Sequence, residues 1–205
     1  MTDDSRLADA EARLRDTYPD TVFHGHASLH PVAVVPYDPS WPGAFLRWRD
    51  HIADAVGPVA RRIEHVGSTA VPGLAAKPII DIQVSVPSVD DEAAYVRALE
   101  SLGVSLRAAE PGHRYFRPGP DRPRVVQIHV CETGSRWEWD HLLFRDYLRH
   151  HPERAEAYAR LKEALADAFR NDRIGYTEAK QEFVAETLRT AEAWAADTGW
   201  SVEGQ

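Results

Sequence analysis

Residues 63–84 read IEHVGSTAVPGLAAKPIIDIQV, and the end of this stretch decides the fold class. From Ile79 to Val86, Ile80, Ile82, Val84 and Val86 alternate with Asp81, Gln83 and Ser85. That is the period-two pattern of a strand with one apolar and one polar face. Upstream, Arg61 to Val66 reads as a second strand running into a Gly67-Ser68 turn. Gly73 marks another tight turn, and Lys77-Pro78 ends the loop that leads into the polar-faced strand. A strand that ends in Gly-Ser can offer an anion its backbone N–H groups and the hydroxyls of Ser68 and Thr69. Lys77 adds a cation, and Asp81 lies beside Gln83 on the polar face. Phosphoryl transfer needs such parts: donors for oxyanions, a cation, and a carboxylate able to hold Mg²⁺. The pattern equally suits a structural loop beside a solvated sheet face, because P-loop spacing and a regular glycine fingerprint are absent.

Working outward, Leu7 to Tyr18 has helical spacing and ends at Pro19. The loop-like TVFHGHASLHP follows, with His24, His26 and His30. These histidines have no acidic or cysteine partners in a common metal-site spacing, so they read as loop residues. Residues 1–30 form an N-terminal extension. Val32 to Tyr37 is a short strand candidate, and Ser40-Trp41-Pro42 opens a helix to about Ala55. Ser88 to Asp91 caps a helix to about Leu102. Val104–Ala109, His113–Arg117 and Arg124–Glu132 are further strands. The last sets Val126, Ile128 and Val130 against Gln127, His129 and Cys131. Ser135 to Glu138 is a capping box opening a helix, Pro152 starts another to about Arg170, and Thr177 a third to about Ala196. Strands followed by a run of helices predict an α+β fold: a mixed or antiparallel sheet core over 31–134 and a helical C-terminal part over 135–205.

Composition narrows the class. The chain has 205 residues, 43% hydrophobic and 27% charged, with a net charge of −8. Broad nucleic-acid binding is disfavoured, since it needs Lys and Arg facing the phosphates, but a local cationic pocket is not. No apolar run is long enough to span a bilayer, and the polar N-terminus is no secretory signal. One cysteine, Cys131, excludes a disulfide framework. The expectation is a cytoplasmic protein.

Other residues carry chemistry beside the central stretch. His129, on a polar strand face, is a candidate ligand or general base. Cys131 shares that face about 7 Å away and reads as an inert thiol. In the probable hairpin His113–Glu132, either Arg114 with Phe116 or Arg117 with Tyr115 could meet a cleft. The reading leans to Arg114 as a phosphate ligand, and leaves Arg122 and Arg124 at a solvated tip. Tyr176 and Lys180 are four residues apart, on one face if both are helical. Trp41, Trp48, Trp137 and Trp139 read as packing residues.

IEHVGSTAVPGLAAKPIIDI, together with HLLFRDYLRHHPERAEAY and the following LK, and with YTEAK, resembles the GrpB family over about Val32 to Ala196. These are bacterial proteins related to the nucleotidyltransferase superfamily. The resemblance implies a nucleotidyltransferase-like core and a group transfer from an NTP to a small-molecule acceptor. The superfamily pattern is a Gly-Ser turn, a strand bearing Asp-x-Asp or Asp-x-Glu, and a third carboxylate on a later strand. Together the carboxylates hold two metal ions. Gly67, Ser68 and Asp81 match. Gln83 departs from it, and His129 stands on the later strand. Asp81, Gln83 and His129 therefore form the expected Mg²⁺ or Mn²⁺ set, with Asp81 and His129 catalytic. The resemblance adds Arg145, Asp146 and Arg173 as family positions and Lys180 as a residue reaching the triphosphate. Asp146 reads rather as part of an interdomain salt-bridge network, which suits Arg145 and Lys180 equally well.

Two alternatives stand beside the enzyme. The missing second carboxylate suits a degenerate domain that binds a protein partner, since similar domains occur fused to dephospho-CoA kinase. A repurposed cleft acting on another anionic metabolite through His129 is the other.

Overall fold

The computed structural model describes residues 2–25, 31–119 and 121–204. Its centre is a six-stranded sheet. From one edge to the other run β1 (Val22–Phe23), β4 (Val104–Glu110), β5 (His113–Pro118), β6 (Val126–Glu132), β3 (Ile80–Val86) and β2 (Arg62–Val66). All neighbours are antiparallel except β3 and β6. That parallel register sets Asp81 beside Gln127, Gln83 beside His129 and Ser85 beside Cys131. The polar faces of the two alternating strands therefore coincide. Their apolar faces coincide too: Ile80, Ile82, Val84, Val126, Ile128 and Val130 form the main core with Phe116 of β5. It is covered by α2 (Trp41–Val56) and α3 (Val96–Ser101) through Trp41, Ile52, Val56 and Leu99. Burying each such side chain contributes roughly 1.5–3 kcal/mol, so this face holds the sheet together.

The polar face is roofed by α4 (Arg136–His150), α5 (Pro152–Ala168), α6 (Arg173–Glu178) and α7 (Gln181–Thr198), with α1 (Asp3–Thr17) against α6. The Ser135 hydroxyl accepts the Glu138 N–H at 3.2 Å, while the Glu138 carboxylate accepts from Gly134 N–H at 2.6 Å. The capping box is thus present with its return bond moved one residue upstream. Arg13 ties α1 to the cap of α6 through Asp172 at 2.9 Å. Among the described residues no helix is long and apolar enough to cross a membrane.

The α+β architecture agrees with the sequence reading, and the discrepancies are local. Val32–Tyr37 makes only one bridge, Val35 to Ala76, because no neighbouring strand runs beside it. Ser40 is itself helical and makes no side-chain cap; Asp38 Oδ1 accepts the Ser40 N–H instead, at 2.8 Å. The helix expected over 88–102 is a 3-10 turn at Glu92–Ala94 and the short α3. They are separated at Tyr95, whose hydroxyl donates to the Val89 carbonyl at 2.5 Å. The last expected helix starts earlier, because Asp172 caps Gly175 N–H at 3.0 Å, and it is divided into α6 and α7 at Ala179-Lys180. Val22 and Phe23, taken for loop, pair with β4. His24 is there too, its N–H donating to the Arg107 carbonyl at 2.8 Å. His26 and His30 lie outside the described residues.

Candidate active-site cleft

The turn after β2 is built around one close approach. Gly67 has φ +69°, and a Cβ there would lie 2.6 Å from Asp81 Oδ2. Glycine is required both by the left-handed backbone and by the carboxylate. Thr69 is buried; its hydroxyl donates to the Ile79 carbonyl at 3.3 Å and lies 2.9 Å from His65 Nε2. This clips the turn to the entry of β3. Asp81 projects from β3 into a cavity of about 370 Å³ lined by Gly67, Ser68, Thr69, Lys77, Lys162 and Lys180 among others.

Two tyrosines organise the three lysines. The Tyr176 ring carries both Lys77 Nζ, at 4.9 Å, and Lys180 Nζ, at 4.6 Å. Tyr158 carries Lys162 Nζ at 4.6 Å, and that ammonium also donates to the Ala75 carbonyl. Cation–π contact of this kind offsets part of the desolvation of an ammonium. The rest is not offset: burial, then Lys180, lowers both Lys77 and Lys162, the latter to about 7. Burial likewise lowers Lys180, against the pull of Asp81. Burial raises Asp81, while Lys77, Lys180, Arg124 and Lys162 pull it down. The site holds more positive than negative charge and favours an anion.

A second lobe of about 540 Å³ adjoins the first. The two share Lys77, Gln127, His129 and Thr177, and α1 walls the second with Arg6, Ala10 and Leu14. His129 stands at the junction. Its Nε2 is 4.0 Å from Asp81 Oδ1, and its Nδ1 is 3.0 Å from His113 Nε2. His113 Nδ1 in turn is 2.5 Å from Glu110 Oε1. Hydrogen bonding to His113 lowers Glu110, so that carboxylate accepts from His113 Nδ1–H. The second contact, between His113 Nε2 and His129 Nδ1, orients the His129 ring with its Nε2 toward Asp81. Burial, with His113 and His141, holds His129 well below its usual value and so neutral at pH 7. Trp137 stacks near these rings, 4.7 Å from His113 and 5.5 Å from His129.

The fold thus brings together Gly67, Ser68, Thr69, Lys77, Asp81, His129, Tyr176 and Lys180. Three other expected residues stand elsewhere. Gln83 is completely buried, its amide 3.5 Å from Ser85 Oγ, and does not reach the cleft, so it cannot complete a metal set with Asp81 and His129. Arg114 points to the opposite face: β5 puts it with Phe116, and it binds Glu92 at 2.6 Å and Asp90 at 2.9 Å. Tyr115 lies with His113 and Arg117 on the cleft face of β5, and Arg124, expected at a solvated tip, donates to its hydroxyl at 2.5 Å. Arg145 is buried in a network. It binds both oxygens of Asp146 at 2.7 and 3.0 Å, Glu64 at 2.7 Å and the His65 carbonyl at 3.1 Å. Arg149 joins the network at Asp146 and donates twice to the Ala70 carbonyl. Arg145 and Arg149 therefore brace the Gly67–Ala70 turn from behind. Cys131 is buried and pushed up to about 12 by burial, an inert thiol as expected.

Lys162 and Tyr158 were missed, although a signal existed: Tyr158 and Lys162 repeat the four-residue Tyr–Lys spacing of Tyr176 and Lys180. His113 and Trp137 had no such signal, because their contact depends on the pairing of β5 with β6.

With this geometry in hand, comparison with known proteins is informative. The profile of the GrpB protein family matches residues 31–190. The chain belongs to the GrpB family. It is 44% identical over 149 residues to UPF0157 protein SCO7215 of Streptomyces coelicolor, covering 72% of this chain and 77% of that one. It is 42% identical over 166 residues to UPF0157 protein BH1888 of Halalkalibacterium halodurans, covering 79% and 83%. The crystal structure of conserved protein GrpB from Enterococcus faecalis superposes with a TM-score of 0.71 at 31% identity, over 79% of this chain and 99% of that one. The segment bearing α1 and β1 precedes the matched range.

Proposed function

We propose that this GrpB-family protein binds a nucleoside triphosphate in the Asp81 lobe and transfers a nucleotidyl or phosphoryl group to a small-molecule acceptor in the adjoining lobe. The observation that supports this reading is Asp81 set against three lysines from three segments and a Gly-Ser turn, the lobe's other carboxylate, Asp140, being paired with Arg136 at 2.8 Å. Lys77, Lys162 and Lys180 would neutralise the phosphates, with the Ser68 hydroxyl as a further donor. His129 Nε2, at the junction of the lobes, would take the proton of the acceptor hydroxyl. The hydroxyl oxygen would form the new P–O bond as the bond to the leaving phosphate breaks.

The residues do not fit a two-ion centre. Gln83 replaces an acid and is buried away from the cleft, and no three His, Cys, Asp or Glu converge among the described residues. They do fit one Mg²⁺ or Mn²⁺ carried in on phosphate oxygens, since such ions are commonly held by one or two carboxylates plus substrate phosphates. Asp81 would be its protein ligand, and the ion would supply charge neutralisation at the phosphates.

Isothermal titration with each of the four NTPs, with and without Mg²⁺ or Mn²⁺, tests the reading. Binding that weakens at least about tenfold in Asp81→Asn is expected, and unchanged binding in that folded variant would sink the role of Asp81. Once an acceptor is found, His129→Gln should lower turnover by about 10²–10⁴ while NTP affinity is retained.

A further inference from the structure

A third recess opens off the second lobe, and the reading above makes no use of it. It has a volume of about 180 Å³ and is lined by Arg107, Arg117, Arg124 and Arg173, with exposed Arg15 beside them. Glu11 is the acidic side chain among its described lining residues. The recess shares Tyr115, Arg124 and Arg173 with the second lobe, so the three compartments form one trench.

The arginines come from four segments, and local structure aims each of them. On β5, Tyr115 and Arg117 share the cleft face by alternation. On β4 the pairing slips: Leu106 opposes Phe116 and Ala108 opposes Tyr115, so Arg107 is the extra residue of a bulge. A bulge turns successive residues toward one side, which regular alternation forbids, and Arg107 and Ala108 both line the recess. Gly25 lets the Arg107 head group in: at φ +73°, a Cβ there would lie 2.6 Å from Arg107 Nη1. Arg124 enters from the segment before β6 and Arg173 from the first residue of α6.

Such convergence of like charge runs against the composition of a chain with net charge −8. It also has a local cost. Burial, then Arg124 and Arg107, lowers Arg117 to about 10, and burial, then Arg124, lowers Arg173 to about 10. Guanidinium groups that repel one another in a half-buried recess are relieved by an anion. Their planar forks match the oxygens of a phosphate group, and the volume admits such a group with a few attached atoms.

We propose that the arginine recess binds the phosphate monoester of a small molecule, separately from the lysine site around Asp81. The proposal stands on the recess alone. Joined to the reading above, it makes the acceptor a phosphorylated alcohol, anchored by its phosphate while its hydroxyl reaches His129.

The test is isothermal titration of the full-length protein with inorganic phosphate at low ionic strength, on the wild type and on Arg117→Gln, Arg173→Gln and Lys180→Gln. Expected are phosphate binding by the wild type, at least about tenfold weaker binding in each arginine variant, and retention of that site in Lys180→Gln. Thermal unfolding without phosphate checks that each variant is folded. The two arginines lie on different elements, so one variant still reads the site should the other fail to fold. No phosphate binding by the wild type up to about 10 mM, or wild-type affinity in either folded arginine variant, overturns the proposal. So does binding abolished by Lys180→Gln alone, which would place the phosphate in the Asp81 lobe. Loss of NTP binding with retained arginine-dependent phosphate binding would instead count against the preceding reading and leave the recess standing.

Discussion

Two clusters of charged side chains flank the Gly67–Ala70 turn, and they are built on opposite rules. Behind the turn, Glu64 and Asp146 meet Arg145 and Arg149, two acids against two bases, with Trp200 Nε1 donating to Asp146 at 3.2 Å. In front of it, the carboxylate of Asp81 faces Lys77, Lys162 and Lys180, while Asp140 on the same lobe is paired with Arg136. The first cluster is neutral as it stands and its groups are spent on one another and on backbone carbonyls. The second carries excess positive charge. Both clusters contain residues of the motifs that carry the GrpB resemblance. Charge balance is what separates the residues that brace the turn from those positioned to meet a ligand.

The sharpest way to break this comparison is Asp146→Ala. It leaves Arg145 and Arg149 without their shared carboxylate and should cost about 3–5 kcal/mol in urea unfolding, with NTP affinity unchanged in whatever folds. A loss below about 1 kcal/mol would mean that the balanced cluster does not hold the turn. Next comes His65, buried with its ring stacked on Phe45 at 4.9 Å and its Nε2 2.9 Å from the Thr69 hydroxyl. Burial, then Arg149 and Arg145, lowers it to about 4. The unfolded chain takes up this proton near pH 6.5 and the native state only near 4. The stabilisation from neutral His65 is therefore fully present above about 6.5 and is lost as pH falls toward 4. The change is about 3 kcal/mol at about 1.4 per unit, and a flatter profile in His65→Gln would confirm its source.

Gly67→Ala should cost about 1–2 kcal/mol, from the positive φ and the collision with Asp81. Its unfolding midpoint and NTP affinity should fall together, because the turn serves both clusters; a fall in only one would show that the clusters are not joined there. The smallest effect is expected from Lys180→Gln. NTP binding should weaken about tenfold, about 1.4 kcal/mol, while unfolding free energy moves by less than about 0.5 kcal/mol. A large loss of stability instead would make Lys180 a structural residue like Arg145.

Much of this was legible from residues alone. The alternation on β3 and β6 located Asp81 and His129 on polar strand faces, because a regular strand turns successive side chains to opposite faces. The Gly67-Ser68 turn was legible for the same local reason. Arg114 and Arg117 were not separable, since neither face of His113–Arg117 is cleanly apolar; the pairing of Phe116 with Ile128 in the core decides it. Gln83 was correctly placed on the polar face, yet only the helices packed over that face determine that it is buried.

The sequence by itself determined the α+β order, the turn, the faces of the alternating strands and the family, all consequences of local period, turn chemistry and motif. Tertiary structure decided which charges neutralise one another and which are left in excess. Lys162 comes to Asp81 across 81 positions of chain, His113 to His129 across a strand pair, and Arg107 to Arg117 through a bulge. The physical reason is that electrostatic balance depends on distance and burial in space, and neither is encoded in spacing along the chain.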